Sequence, residues 1–135
     1  MAAQSFDDRD GWIWMDGEFI PHRDARVHVL THAMHYASAV FEGERAYDGA
    51  IFKSREHSER LHTSAKLLGF KLPYAAEEID RAKAELVSRQ KTPNCYLRAI
   101  AWRGSELMGV SAKRDDVHVA IASWVWGDYF ADKMK

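Results

Sequence analysis

A chain of 135 residues has room for one hydrophobic core. With 47% apolar, 12% aromatic and 29% charged residues it is composed like a folded globular domain, not a disordered or low-complexity one. Nineteen basic against twenty acidic residues leave a net charge of -1, which supplies no bulk positive field for a nucleic-acid backbone. No run approaches the ~18 apolar residues of a spanning helix, the acidic opening MAAQSFDDRDG is unlike a signal peptide, and the single Cys95 excludes an internal disulfide framework, so a cytoplasmic address is expected.

Residues 12–15 and 18–20 read as two short strands around Asp16-Gly17, a dipeptide that tolerates the positive φ of a tight primed turn. Residues 45–47 and 50–52 repeat the device around Asp48-Gly49. Between the two hairpins, residues 32–41 are rich in Ala, His and Tyr, and a short helix or turn is expected there. Leu61, Ala65 and Leu68 recur at helical spacing over residues 55–68, with Ser54 placed to cap and Gly69 to stop the run.

A second helix is expected over about residues 76–89, with Ile79, Ala82 and Leu86 on one stripe, Glu77 and Glu78 at its positive end and Arg89 at its negative end. The two strongest strands come last, at 95–102 and 117–126, separated by a loop over 103–116 that is expected to be mobile. Hairpins, then helices, then strands, without a βαβ repeat, predict an α+β fold with a mainly antiparallel sheet and two principal helices.

Several common chemistries lack their signature. The seven histidines come without Cys-x-x-Cys or His-Glu-x-x-His spacing, so no metal site is expected, and neither a Gly-x-Ser-x-Gly elbow nor a glycine-rich phosphate loop occurs. The period of two on residues 95–102 puts Cys95, Leu97, Ala99 and Ala101 on one face as core, and Tyr96, Arg98, Ile100 and Trp102 on the other. An arginine and a tyrosine side by side suit a carboxylate-bearing ligand, since a guanidinium meets it through two parallel hydrogen bonds and the phenol adds a third; an arginine covering apolar surface at a sheet edge fits the pattern equally. Trp124, Trp126 and Tyr129 are candidates for either pocket wall or core.

Four blocks carry a family resemblance: HVLTHAMHYASAVFEGERAYDG (28–49), REHSERLHTSAKLLGF (55–70), YLRAIAWRGSELMGVS (96–111) and WVWGDY (124–129). Together, in this order and from about Trp12 onward, they resemble the branched-chain amino acid aminotransferases, which belong to the type IV fold of pyridoxal-phosphate enzymes. The resemblance implies that residues 1–11 are a lead-in segment and 12–135 the small domain, with a larger domain to follow in the complete protein. It implies transfer of the amino group of leucine, isoleucine or valine to 2-oxoglutarate with pyridoxal 5'-phosphate. The lysine that holds the cofactor in the family has no counterpart among Lys53, Lys66, Lys71, Lys83, Lys91, Lys113, Lys133 and Lys135, so the chain is expected to be an inactive fragment with no catalytic residue of its own.

Residue by residue, the resemblance makes Arg60, which on spacing alone is a solvated helix charge, the arginine that binds the cofactor's phosphate. Phe41 corresponds to a pocket wall, Gly43 to a close backbone approach, Tyr96 to the tyrosine near the substrate carboxylate and Arg98 to the arginine that accepts glutamate's distal carboxylate. Trp126 and Tyr129 match further walls. Tyr36, Met108 and Val110 match groups that reach across a dimer interface, so a homodimer is implied, and exposed apolar surface leads us to expect further self-association. Glu44 departs from the pattern, in which an aliphatic residue commonly stands before Arg45. The alternatives are a type IV relative, acting as a D-amino acid aminotransferase or aminodeoxychorismate lyase, and a non-catalytic binding or assembly module if the gene ends at Lys135.

Overall fold

The computed structural model describes residues 4–110 and 116–126. Both Asp-Gly dipeptides close hairpins: φ is 51° at Asp16 and 95° at Gly17, 51° at Asp48 and 86° at Gly49, the pair of positive values that a primed turn requires. The first turn joins β1 (Trp12–Met15) to β2 (Glu18–Pro21), and the second joins β3 (Ala39–Tyr47) to the two-residue β4 (Ala50–Ile51). The helix expected somewhere in residues 32–41 is confined to α1 (His32–Tyr36). Ala37 turns left-handed at φ 57°, and the chain then extends into nine residues of strand, where the sequence had suggested only three.

Helices α2 (Ser54–Leu67) and α3 (Ala76–Gln90) lie where their periodicity predicts. Ser54 does not cap α2, however. Lys53 occupies that position at φ 59°, and Ser54 is the first helical residue, its hydroxyl 3.4 Å from Asp80 on α3. Gly69, at φ 86°, ends α2 as expected, and Lys91, at φ 54°, ends α3.

Strands β5 (Cys95–Arg103) and β6 (Val117–Trp124) complete one sheet in the order β2-β1-β6-β5-β3-β4, antiparallel throughout. The class is α+β, as expected. β6 stops two residues before Trp126, and Arg103 belongs to β5, so the expected loop begins at Gly104, whose N–H donates to the Asp116 carbonyl at 3.0 Å. Five residues of that loop, 111–115, lie outside the described residues, and with them a central part of the segment expected to be mobile.

Both helices cover one face of the sheet. Cys95, Leu97, Ala99 and Ala101 of β5 and Val119 and Ile121 of β6 are buried there against Leu61, Ala65, Ile79 and Leu86, which is the division of β5 that the period of two predicts. Each side chain of leucine size buried in this way contributes about 1.5–3 kcal/mol. The opposite face, with half-buried Tyr96, Arg98 and Ile100, carries no helix of comparable length among the described residues and is left open beside α1. The lead-in is tied down: the Phe6 ring stands edge-on to Trp124 at 5.3 Å, and Arg23 pairs with Asp8 and Asp10.

Candidate active site

Strand β3 is the spine of the site, because its successive residues serve opposite faces. Its register places Phe41 beside Ile100 and Gly43 beside Arg98 on the open face, while Glu42 and Glu44 stand beside Ala99 and Leu97 and face the helices. The hydrophobic pattern is inverted: Phe41 is exposed, whereas Glu42 and Glu44 are buried. Each buried acid has a cationic partner on a helix.

On the helix side, Glu42 accepts from Arg60 through Nε (2.8 and 3.0 Å) and Nη2 (2.8 Å), and from His57 Nδ1 at 2.6 Å. Burial alone would raise the Glu42 carboxyl, but the hydrogen bonds from Arg60 and His57 hold it below the usual carboxylate range, and the same carboxylate raises the Arg60 guanidinium. Two of the five N–H groups of Arg60 are engaged by Glu42, which leaves three, unengaged among the described residues, at the outer end of an exposed fork. That edge can accept a phosphate.

On the open face, the Arg98 guanidinium lies 4.3 Å over the Phe41 ring and within 6 Å of the rings of Tyr96 and Trp124, and its Nη2 donates to the Tyr96 hydroxyl at 3.2 Å. Its Nε is buried with no partner among the described residues. A buried donor left unmatched is costly. Tyr96 is itself packed between Trp124 (4.8 Å) and Trp126 (4.7 Å). Gly43 makes this possible: a Cβ there would collide with the Tyr96 hydroxyl and lie 3.0 Å from Cζ. Among the described residues, Arg98 is the one charged side chain lining an otherwise apolar groove of about 450 Å³, walled by Ile13, Met34, Ile100 and Trp124 among others.

Tyr36, Met108 and Val110 form a third group. The Tyr36 hydroxyl donates to the Met108 carbonyl at 3.2 Å, and His32 Nε2–H donates to the Gly109 carbonyl at 3.0 Å while its Nδ1 accepts from Ser38 at 2.6 Å. Helix α1 thus holds the Met-Gly-Val turn, and Tyr36 and Val110 remain exposed.

Arg60 and the Tyr96–Arg98 pair therefore emerge from opposite faces of the sheet. From Ala39 to Arg45, β3 has no strand partner on its outer side among the described residues, since β4 pairs only with Ala46 and Tyr47. A ligand that touches both half-sites must lie across that edge. Sequence reasoning did not find Glu42 or His57; the available signal was an acid next to two candidate residues, Phe41 and Gly43. Tyr129 lies outside the described residues.

Glu44, which departs from the family pattern, is fully buried and accepts from Lys83 at 2.7 Å, beneath both helices and away from the groove. Arg45 lies over the Tyr47 ring at 5.8 Å, and its Nε is buried without a partner among the described residues. None of Lys53, Lys66, Lys71, Lys83 and Lys91 lines the groove beside Arg98, and Lys113, Lys133 and Lys135 are outside the described residues. Among the described residues, no group of three or more His, Cys, Asp or Glu could hold a metal ion, and no helix is long and apolar enough to cross a membrane.

A family model described as Amino-transferase class IV matches residues 39–135. The branched-chain-amino-acid aminotransferase of Pseudomonas aeruginosa is 44% identical over 133 residues, covering 96% of this chain and 43% of that protein. The branched-chain amino acid aminotransferase from T.th., with pyridoxamine 5'-phosphate, superposes with a TM-score of 0.85 at 41% identity, over 93% of this chain and 43% of that one. Its complex with N-(5'-phosphopyridoxyl)-L-glutamate gives 0.83 at 42% identity, over 88% and 42%. The chain spans less than half the length of each of these relatives.

Proposed function

Because the chain belongs to the Amino-transferase class IV family, we propose that it is the amino-terminal small domain, residues 12–135, of a branched-chain amino acid aminotransferase. The complete protein transfers the amino group of leucine, isoleucine or valine to 2-oxoglutarate with pyridoxal 5'-phosphate. The residues present suit that cofactor: Arg60 offers a phosphate ester three N–H groups that are free among the described residues, from a fork already held by Glu42. When bound, the cofactor supplies the electron sink for proton loss at the substrate's α-carbon.

The chain's own residues bind and orient. Arg60 anchors the ester, Tyr96 hydrogen-bonds the substrate carboxylate, and the Arg98 guanidinium receives the distal carboxylate of the glutamate/2-oxoglutarate pair. Phe41, Trp126 and Tyr129, with Tyr36, Met108 and Val110 from a second copy in a homodimer, wall the aliphatic side chain and exclude water from it. Burying that side chain favours aliphatic substrates at about 25 cal/mol per Å². A cytoplasmic address accords with a single buried thiol, Cys95.

The observation that supports this reading most is the open-face cluster in which the Arg98 guanidinium lies over the Phe41 ring and bonds the hydroxyl of Tyr96, itself packed between Trp124 and Trp126. Such a site accepts both an aliphatic side chain and a charged one. The test is the complete gene product assayed with 2-oxoglutarate and, separately, L-leucine, L-isoleucine, L-valine and D-alanine, reading glutamate formation. Turnover of the three aliphatic L-amino acids is expected. Turnover of D-alanine alone would assign the protein to the D-amino acid branch. The 135 residues by themselves are expected to turn over none of these substrates.

A further inference from the structure

We propose that Glu42 is a positioning residue for Arg60: it clamps the inner edge of the guanidinium so that the outer edge is presented, already oriented, to an oxyanion. The inference rests on the reading of Arg60 as the phosphate anchor. Arg60 sits on α2 with 66% of its side chain exposed, and among the described residues nothing from its own helix holds it. The group that does is a carboxylate 18 positions away on β3, only 5% exposed and so confined to one place. Because Nε and Nη2 are both engaged, the guanidinium plane is fixed as well as its position, and the N–H groups left over all point away from the strand. His57, one turn before Arg60 on α2, donates to the same Oε1 at 2.6 Å and fixes the carboxylate in turn.

Charge alone argues the other way. A carboxylate beside an anion site repels the anion, so if Glu42 acted only through its charge, neutralising it would tighten phosphate binding. A clamp predicts the opposite sign. Glutamine keeps the shape but offers one acceptor oxygen in place of two, so the two-point hold is lost and the freed arginine must be ordered again for each binding event.

The experiment measures binding of pyridoxal 5'-phosphate and of pyridoxal, which lacks the phosphate, to the complete gene product by absorbance titration. Wild type, Glu42→Gln, Glu42→Asp and Arg60→Ala are compared, with circular dichroism as the check on folding. The readout is the preference for the phosphorylated compound. Glu42→Gln should lower that preference by about tenfold, equivalent to 1.4 kcal/mol, and Glu42→Asp should retain more of it. A preference in Glu42→Gln that is unchanged or greater, or equal weakening of both compounds, overturns the clamp, provided that Arg60→Ala lowers the preference. If Arg60→Ala leaves the preference intact, Arg60 is not the phosphate anchor and the clamp falls with it.

Discussion

Lys83 is a lysine at zero exposure, held between Glu44 Oε1 (2.7 Å), the Ser54 carbonyl (2.9 Å) and Asp80 (3.6 Å). Lys83→Met removes the ammonium and leaves Glu44 buried with neither oxygen partnered among the described residues, since Oε2 already has no partner there. Breaking one half of a buried pair costs about 3–5 kcal/mol, a large part of the ~5–15 kcal/mol that holds a domain together. With a urea slope of about 2 kcal/mol/M, a loss of about 4 kcal/mol lowers the midpoint by about 2 M.

Glu44→Leu with Lys83→Met removes both charges and refills the space with hydrocarbon, an exchange that is neutral or stabilising by about 1–4 kcal/mol. The double variant should therefore unfold at or above the wild-type midpoint although each single variant falls below it. The pH dependence adds a second signature. Burial pushes the Glu44 carboxyl above the usual carboxylate range, and Lys83 only partly offsets this, so in Lys83→Met the carboxyl rises further. An acid whose folded pKa is raised holds its proton more tightly when folded, so its cost appears as pH rises and is relieved as pH falls. Lys83→Met should thus recover part of its loss between a mildly alkaline and a mildly acidic pH. Tryptophan fluorescence in urea at both pH values measures this. A single variant within about 0.5 M of wild type at the mildly alkaline pH would refute the reasoning.

Leu61→Ala empties a fully buried position between α2 and the sheet and should cost about 2–5 kcal/mol in the same urea assay. Gly43→Ala should force Tyr96 out from between Trp124 and Trp126 and break its hydrogen bond from Arg98, costing about 1–3 kcal/mol; tryptophan emission should change even without denaturant. His118 is stacked on Trp102 and donates to Asp16 (2.7 Å) and Glu106 (3.2 Å). Burial would lower its pKa, but the two carboxylates raise it above 6.5. Its contribution is therefore complete below 6.5 and fades as pH rises through the raised folded value, so wild type should lose more stability than His118→Gln over that window. Equal losses, read from urea midpoints on either side of it, would contradict the assignment.

Periodicity was enough for α2, α3 and the core face of β5, because in each the apolar residues repeat at the spacing of the element and the burial follows. The Asp-Gly turns were legible for an equally local reason, the positive φ at both residues. Ser54 shows where local reasoning stops: a good capping residue was drawn instead toward Asp80 on the next helix, and Lys53 took the cap. The four family blocks likewise named Arg60, Tyr96 and Arg98 without showing what holds them.

Strand β3 was hidden because its pattern reads inside out. Phe41 faces outward and two acids face the core, an arrangement that is stable only because Arg60 lies 18 positions away in sequence and Lys83 39 positions away, each brought within hydrogen-bond reach by the packing of α2 and α3. Hydrophobic spacing, turn chemistry and residue identity act between near neighbours and can be read along the chain. The pairing of a buried charge depends on which distant side chain arrives opposite it, and folding alone brings the two together.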